Sequence, residues 1–440
     1  MWWDHVKMAI KKLATNRKFH IKEIGAIGIS YQMHGLVVVD KNQQMLRDAI
    51  IWCDSRAVKI GEKAFSQIGE KRSLSNLLNS PGNFTAAKLG WLKENELDIY
   101  AQIDKIMLPG DYIAMKMSHT LTTSTAALSE GIFWDFKHNE ISKDVMQHFD
   151  FDYSLIPEIK DLFSTHGTVS SSVAKELGLA EKIPITYKAG DQPNNALSLN
   201  VLKPGEVAAT AGTSGVIYGV SDQLIYDEQS RVNTFAHVNH TAEKRSLGVL
   251  LCVNGTGILN RWIKNLYQTD ISYQTMNELA KKVAPGSEGL SILPFGNGAE
   301  RVLNNANVGA HIHNLNFNRH QQGHLFRAAQ EGIAFSMNYG LEILRENGIK
   351  PSVIRAGSAN MFLSEVFTHC FVNATGVPVE LYDNDGSVGA AIGAGMGVKV
   401  FNSSEDAFTN FKPKKTIEPN GVMEYKAAYN NWKELLKQQL

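Results

Sequence analysis

Asp191 closes an apolar run, "KIPITYKAG", and is followed at once by side-chain amides in "QPNN", Gln192 to Asn195. A lone carboxylate at the carboxyl end of a strand can take a proton from a bound hydroxyl, general-base work worth about 10²- to 10⁴-fold in rate. The same spacing suits a helix start, with Asp191 as N-cap and Pro193 in the first turn. The two readings are compatible, because a capping carboxylate is also a positioned one.

Three glycine turns follow. "AGTSG" sets Gly212, Thr213 and Ser214 between two short apolar runs, where main-chain N–H groups and hydroxyls can converge on a phosphate. A plain hairpin turn is the alternative. "NGTG" sets Gly255 and Gly257 between an apolar run and a helical pattern, the arrangement by which a helix N-terminus meets a phosphate or nucleotide. Its alternative is a tight strand-to-helix turn without a ligand. "RAGSAN" places Gly357, Ser358 and Ala359 at a third junction of this kind. Each turn is weak alone; together they predict a nucleotide bed with Asp191 beside it. Neither a P-loop nor a protein-kinase glycine loop occurs.

Nearer the start, "YQMHG" puts Gln32, Met33 and His34 on a turn, and "WCDSR" sets Trp52 and Asp54 at the end of the next apolar run. Hydrogen-bonding side chains beside an apolar wall suit a polyol. A satisfied histidine and an Asp54–Arg56 surface pair are the plainer readings.

The elements that must carry these residues follow from apolar periodicity. Trp3, Val6, Ile10 and Leu13 recur at helical spacing, and "EIGAIGISYQ", "LVVVDKNQQML" and "AIIWCD" read as strands. Helical patterns such as "TAAKLGWLKENE" follow, with a turn at Pro109-Gly110 and a helix-rich stretch to about Gly178. From Ile183 strands and helices alternate through a long helix from about His324 to Glu346, and the series ends with the glycine-rich helix "GSVGAAIGAGMG". This order predicts two α/β domains, 1–182 and 183–440, sharing a cleft.

Composition narrows the ligand. The chain has 440 residues, 43% of them hydrophobic, with 44 basic against 44 acidic side chains, so it offers no long-range field to nucleic acid or anionic lipid. A small molecule is the expected partner. No apolar run approaches the roughly 18 residues of a membrane span, and the charged opening "MWWDHVKMAIKKLATNRK" lacks a signal peptide's apolar block, which predicts a cytoplasmic protein. Cys53, Cys252 and Cys370 lie far apart, without the spacing of a disulfide framework or zinc site, and read as reduced, mostly buried thiols.

Taken together these residues resemble the FGGY family of carbohydrate kinases along almost the whole chain. "AIGISYQMHGLVVVD" is similar to the family's first sugar-binding segment, "AIIWCDSRA" to its W-x-D-x-R segment, and "PGNFTAAKLGWL" and "IMLPGDYIAMKM" to the helices that follow. "AGDQPNNAL", "GTSG", "LPFGNGAER" and "RAAQEGIAFS" continue the match in order. The resemblance implies an actin and hexokinase type fold, two ribonuclease-H-like domains around a central cleft that takes sugar and ATP. It implies transfer of the γ-phosphoryl group of ATP to the 5-hydroxyl of D-xylulose, with Asp191 as general base. Mg²⁺ would bridge phosphate oxygens and reach Asp191 through water. Carried over by position, Met33, His34 and Gln192 touch the ketose, with Gln32, Trp52 and Asp54 near them. Gly212, Thr213 and Ser214 face the β- and γ-phosphates, while Gly357, Ser358 and Ala359 lie along the adenosine. Family habit also implies a homodimer.

The chain departs from the family pattern in places. Gln192 stands where Asn is usual, "WCD" replaces Trp-Asn-Asp, and "AGSAN" replaces a Gly-Gly-Gly-Ala turn. These changes keep another ketose or polyol (ribulose, fuculose, gluconate or glycerol) as an alternative substrate. Family members begin with a strand, a D-x-G-T turn and a second strand, whereas "MWWDHV" resembles the helix after them. The expectation is a first domain truncated at its N-terminus, with an unpaired sheet edge. A sugar- or nucleotide-binding protein impaired in catalysis is the alternative this raises.

Overall fold

Trp2–Ala14 forms the helix (α1) that the spacing of Trp3, Val6, Ile10 and Leu13 predicts, and Ile27–Tyr31 forms the first strand (β1). The structure is a computed structural model and describes residues 1–16, 19–267 and 271–440, so Arg17 and Lys18, which end the charged opening stretch, lie outside it. "LVVVDKNQQML" contributes a short strand, Val37–Val39 (β2). "AIIWCD" does not become a strand: Ile50 makes one bridge to Leu36. Asp54 then turns the chain by accepting the Arg56 N–H and capping a 3-10 turn at Ser55–Ala57. Thr85–Asn95 (α2) follows, then Lys105–Met107 (β3), which pairs antiparallel with β2. Pro109 and Gly110, read as a turn, instead open a helix over Pro109–Ser118, because Pro at the first helical position gives up an N–H that would have no partner anyway. Thr125–Glu130 (α3) completes the helical stretch that matters for the site.

Three strands form the sheet of the first lobe. Gly167–Thr168 (β4) pairs antiparallel with Pro184–Gly190 (β5), and β1 runs parallel to β5 at the sheet's edge. The expected division at 182/183 therefore falls just ahead of a strand that shares a sheet with β1. The second sheet begins only after the helix Asp191–Ser198 (α4), at Glu206–Ala211 (β6).

Gly215–Ser221 (β7), Asn233–Ala236 (β8), Leu247–Val253 (β9), Val353–Gly357 (β10), Val379–Tyr382 (β11) and Lys415–Ile417 (β12) join β6 in a seven-stranded sheet, in the order β8-β9-β7-β6-β10-β11-β12. The parallel pairs β6/β10 and β10/β11 sit at its centre, with antiparallel pairs on both sides. β8 and β12 carry no sequence signal as plain as the others.

The helices Gly257–Asn265 (α5), Gln322–Glu346 (α6), Glu365–Thr375 (α7) and Val422–Lys437 (α9) belong to this second half. α6 fills its core with Ile333, Met337 and Leu341, packed among Phe367, Phe371 and Trp432. A separate core joins the two halves, from Met33 and Leu89 through Phe133 to Tyr187, Tyr218 and Phe235.

The glycine-rich helix, Gly386–Gly397 (α8), locks the halves together. It lies against β1, β5 and α4. A Cβ on Gly393 would stand 2.5 Å from the Tyr187 ring, and one on Gly28 would stand 2.0 Å from the Ala390 oxygen, so this approach is open only to glycine. Among the described residues, no helix is long and apolar enough to cross a membrane. Cys53 is exposed, Cys252 half-buried and Cys370 buried, all as free thiols.

Candidate active site

Asp191 is the first residue of α4, and Gly190 rather than Asp191 is its N-cap. The carboxylate thus lies in the first turn, where the partial positive charge of the helix end favours the anion. Gln192 Nε2 stands 3.1 Å from Asp191 Oδ2. One side of Asp191 is open to solvent. Burial of the rest raises its pKa above the ordinary value, while hydrogen bonds from Gln192 and from the Met33 main chain hold the rise back. A base whose pKa is lifted is a better proton acceptor.

The other amides of "QPNN" do different work. Asn194 Nδ2 donates to the Gly386 oxygen at 2.7 Å, tying α8 to α4. The Asn195 main-chain oxygen accepts from the Ser198 hydroxyl at 2.7 Å. Of these side chains, Gln192 is the one beside the carboxylate.

The "YQMHG" turn approaches the same point. Met33 is buried and Gln32 partly exposed. His34 adopts φ 63°, a left-handed conformation unusual for a residue with a side chain. Three contacts hold it there. His34 Nδ1 donates to the Glu130 oxygen at 2.9 Å, Lys88 Nζ donates to the His34 oxygen at 2.7 Å, and the ring packs edge-on against Phe84 with centroids 4.6 Å apart. Phe235, from β8, covers it at 5.2 Å. Burial pushes the imidazole pKa down to about 3, so the ring is neutral. With Nδ1 carrying the proton toward Glu130, Nε2 presents a lone pair to a hydroxyl donor.

Trp52 and Asp54 lie on the neighbouring loop. Trp52 is 61% exposed, an uncovered ring in a chain with a large core. Asp54 is engaged by Arg56 through both oxygens, at 2.9 and 2.8 Å, and Arg56 stacks on Trp91 at 4.7 Å. That is the surface pair of the plainer sequence reading.

The glycine turns converge as a unit, with one internal rearrangement. Gly212, Thr213 and Ser214 join the antiparallel strands β6 and β7, with both hydroxyl-bearing residues exposed. The "NGTG" turn is docked onto them: Gly257 N–H donates to the Gly212 oxygen at 2.9 Å, and Ile258 N–H to the Thr213 oxygen at 3.1 Å. Those helix-start amides are therefore spent on the first turn rather than offered to an anion. The N–H groups of Asn254 and Gly255 go to the Glu300 carboxylate, at 2.9 and 3.0 Å. Gly255, expected at the nucleotide, thus stands behind the site, packed on the Pro294 oxygen. A periodic pattern cannot show that these amides already have partners.

A cavity of about 340 Å³ opens beside Gly212, Thr213 and Gly257, lined further by Asn260, Tyr273 and Asn360. Its size is in the range of small-molecule sites. Asn277 also faces it, and Gln330 Nε2 donates to Asn277 Oδ1 at 2.9 Å, which fixes the amide and leaves its Nδ2 as a donor. Gly357, Ser358 and Ala359 form the turn leaving β10, with Ser358 N–H on the Tyr382 oxygen at 2.7 Å. The next residues, Asn360 and Met361, reach the cavity wall.

Lys88, Glu130, Phe235, Asn260 and Asn277 were not singled out from sequence. A lysine within the apolar "TAAKLGWL" and a glutamate in "AALSEGIF" were the available signals, since a charge in a buried run needs a reason. Among the described residues no group of three or more His, Cys, Asp or Glu side chains gathers as a metal site. Glu300, the carboxylate on the glycine turns, is spent on the Asn254 and Gly255 amides, which leaves Asp191 at the start of α4. This donor set suits an ion held chiefly by substrate phosphates, as Mg²⁺ commonly is.

Known proteins resemble this chain along most of its length. Residues 1–198 match the N-terminal domain of the FGGY family of carbohydrate kinases, and residues 207–398 match its C-terminal domain. The xylulose kinase of Haemophilus influenzae is 28% identical over 364 residues, covering 80% of this chain and 72% of that protein. The xylulose kinase of Escherichia coli is 25% identical over 441 residues, covering 99% and 88%. The ligand-bound xylulose kinase from Lactobacillus acidophilus superposes with a TM-score of 0.89 at 22% identity, over 99% of this chain and 88% of that one. The gluconate kinase from the same organism gives 0.88 at 22% identity, again over 99% and 88%. The fold is thus the two-domain one of actin and hexokinase type sugar kinases, a family that uses ATP as phosphate donor. With both of its domain profiles matched in order, the chain belongs to the FGGY family of carbohydrate kinases.

Proposed function

We propose that the chain transfers the γ-phosphoryl group of ATP to the 5-hydroxyl of D-xylulose, with Asp191 as general base. The observation that carries this reading is Asp191 in the first turn of α4, its pKa raised by burial, with Gln192 and the Met33 main chain hydrogen-bonded to it. The Asp191 carboxylate takes the hydroxyl proton while the sugar oxygen forms its bond to phosphorus and the bond from phosphorus to the ADP oxygen breaks. Gln192 and the neutral His34, through Nε2, hold the ketose hydroxyls, with Met33 as an apolar wall and Gln32 and Trp52 at the rim. Asp54 supports the rim through its pair with Arg56.

Gly212, Thr213 and Ser214 meet the β- and γ-phosphates by main-chain N–H groups and hydroxyls. The adenosine takes the cavity lined by Asn260, Tyr273, Asn277 and Asn360, with Gly357, Ser358 and Ala359 behind it. Mg²⁺ would supply neutralising charge on the phosphates, with Asp191 as the acidic side chain on hand to hold it.

The names of the H. influenzae and E. coli relatives favour xylulose. The equal superposition of the gluconate kinase, and of a Plasmodium falciparum glycerol kinase with a TM-score of 0.88, keeps a different polyol as the second reading. Coupled ADP release measured with D-xylulose, L-ribulose, L-fuculose, gluconate and glycerol decides between them. The proposal expects the highest kcat/KM with D-xylulose, and binding of sugar and ATP without turnover would overturn it.

A further inference from the structure

Glu130 ends α3 with its carboxyl fully buried and is absent from the chemistry above. It touches both halves of the sugar site. Its Oε1 accepts the Gly190 N–H at 3.2 Å, one residue before Asp191. Its main-chain oxygen accepts His34 Nδ1 at 2.9 Å. The fit is close: a Cβ on Gly190 would stand 2.5 Å from Glu130 Oε1 and 2.6 Å from Met33 Cγ. The second carboxyl oxygen, Oε2, is buried and has no hydrogen-bond partner among the described residues. Stranding a polar atom in a core carries a cost that apolar packing would avoid, so a glutamate here has to be accounted for by what it holds.

We infer that Glu130 is a positioning residue for phosphoryl transfer: its side chain clamps the Gly190 amide while its main chain clamps His34, setting the Asp191 carboxylate and the imidazole relative to each other. The inference rests on the reading of Asp191 as the base. The surroundings of the carboxyl favour its neutral form. Burial raises its pKa well above the ordinary value, and the negative charge of Asp191 and of Asp111 pushes the same way; the Gly190 N–H opposes. The other titratable groups beside it are Tyr31, Tyr187 and Tyr218, each with its own pKa raised by burial. Lys188, which could have supplied a counter-charge, is paired with Asp111 at 2.5 Å. A neutral Glu130 can accept from Gly190 without placing a second negative charge next to the base, where two anions would compete for one proton.

Glu130→Gln keeps the acceptor and the neutral charge; Glu130→Ala removes the clamp. The expected result is that E130Q retains kcat/KM for the ketose within about 3-fold and keeps the acid limb of the rate profile, while E130A loses about 10²-fold in kcat, the scale of a 1 Å misplacement of a catalytic group. Thermal unfolding of both variants separates a fold defect from a positioning one. Difference infrared spectroscopy at neutral pH supplies a readout free of turnover: the protein shows a protonated-carboxyl band that E130Q lacks. An E130A enzyme within about 3-fold of the parent, an acid limb moved down in E130Q, or the absence of that band would each overturn the inference. Asp191→Asn, assayed alongside, keeps the two ideas apart, because an active D191N would sink the base assignment while leaving the band of Glu130 in place.

Discussion

Lys88 Nζ stands 2.7 Å from the main-chain oxygen of His34, and the lysine side chain is wholly buried in the core of the first lobe. Its ammonium holds the left-handed turn from behind as Glu130 holds it from the side. Burial lowers the Lys88 pKa from 10.5 to about 8, with Asp54 and Cys53 opposing the fall. The folded chain therefore binds this proton more weakly than the unfolded chain. Stability is reduced below the folded pKa and recovers as pH rises from about 8 toward 10.5. Urea titrations should show the parent gaining up to ~3 kcal/mol on Lys88→Met between pH 7 and 10. The same variant frees the His34 carbonyl, so its KM for the ketose should rise about 10-fold while the KM for ATP holds, an effect of the size of one lost charge-assisted hydrogen bond.

Asp191→Asn tests the base directly. The expected loss is about 10²- to 10⁴-fold in kcat, with sugar binding by calorimetry nearly unchanged. Because burial raises the Asp191 pKa, the acid limb of kcat/KM should lie above the ordinary carboxylate value of 3.8, activity falling as the carboxylate is protonated. A limb at or below that value would contradict the assignment.

Gly257 and Gly212 make a matched pair of probes. A Cβ on Gly257 would meet the Gly212 oxygen at 2.3 Å, whereas a Cβ on Gly212 meets nothing nearer than 3.7 Å. Gly257→Ala should push the nucleotide turns apart and raise the KM for ATP at least about 10-fold, roughly 1.4 kcal/mol, with the ketose KM unaffected. Gly212→Ala should leave the fold's melting temperature within a degree or two of the parent, since ordinary van der Waals contact costs little. Equal effects of the two substitutions on ATP binding and stability would show that the docked turns are not what shapes the nucleotide site.

Acid should weaken the fold through buried imidazoles. Burial lowers His34 and His166 to about 3 and His237 to about 4, from 6.5. Each ring is neutral in the fold and protonated in the unfolded chain below 6.5. Its contribution is intact above that value and lost as pH falls toward the folded pKa. By pH 5 the loss is about 2 kcal/mol per ring. His237, bound between the Tyr218 hydroxyl and the Val201 oxygen at 2.9 Å each, is the cleanest test. His237→Asn should shrink the stability difference between pH 7 and pH 5 by about that amount, and an unchanged difference would exclude this source.

The junction at Asp191, the hairpin at Gly212 to Ser214 and the long helix through Ile333, Met337 and Leu341 were all legible in the sequence. Each depends on neighbours within a few residues: an apolar period, a glycine where the chain turns, a carboxylate where a strand gives way to a helix. Those signals were enough for the α/β class and the two-lobed arrangement, and the resemblance of the ordered segments pointed to the kinase family. Residue pairings across the chain were not legible. Lys88 meets residue 34 and Glu130 meets residue 190, while Phe235 closes over His34 from another sheet. By sequence the "NGTG" turn suits either a phosphate or a plain strand-to-helix junction, and in the fold Gly212, Thr213 and Glu300 take its amides. Tertiary packing decides such matters because every buried donor needs an acceptor, and which acceptor remains is known only once distant strands have come together.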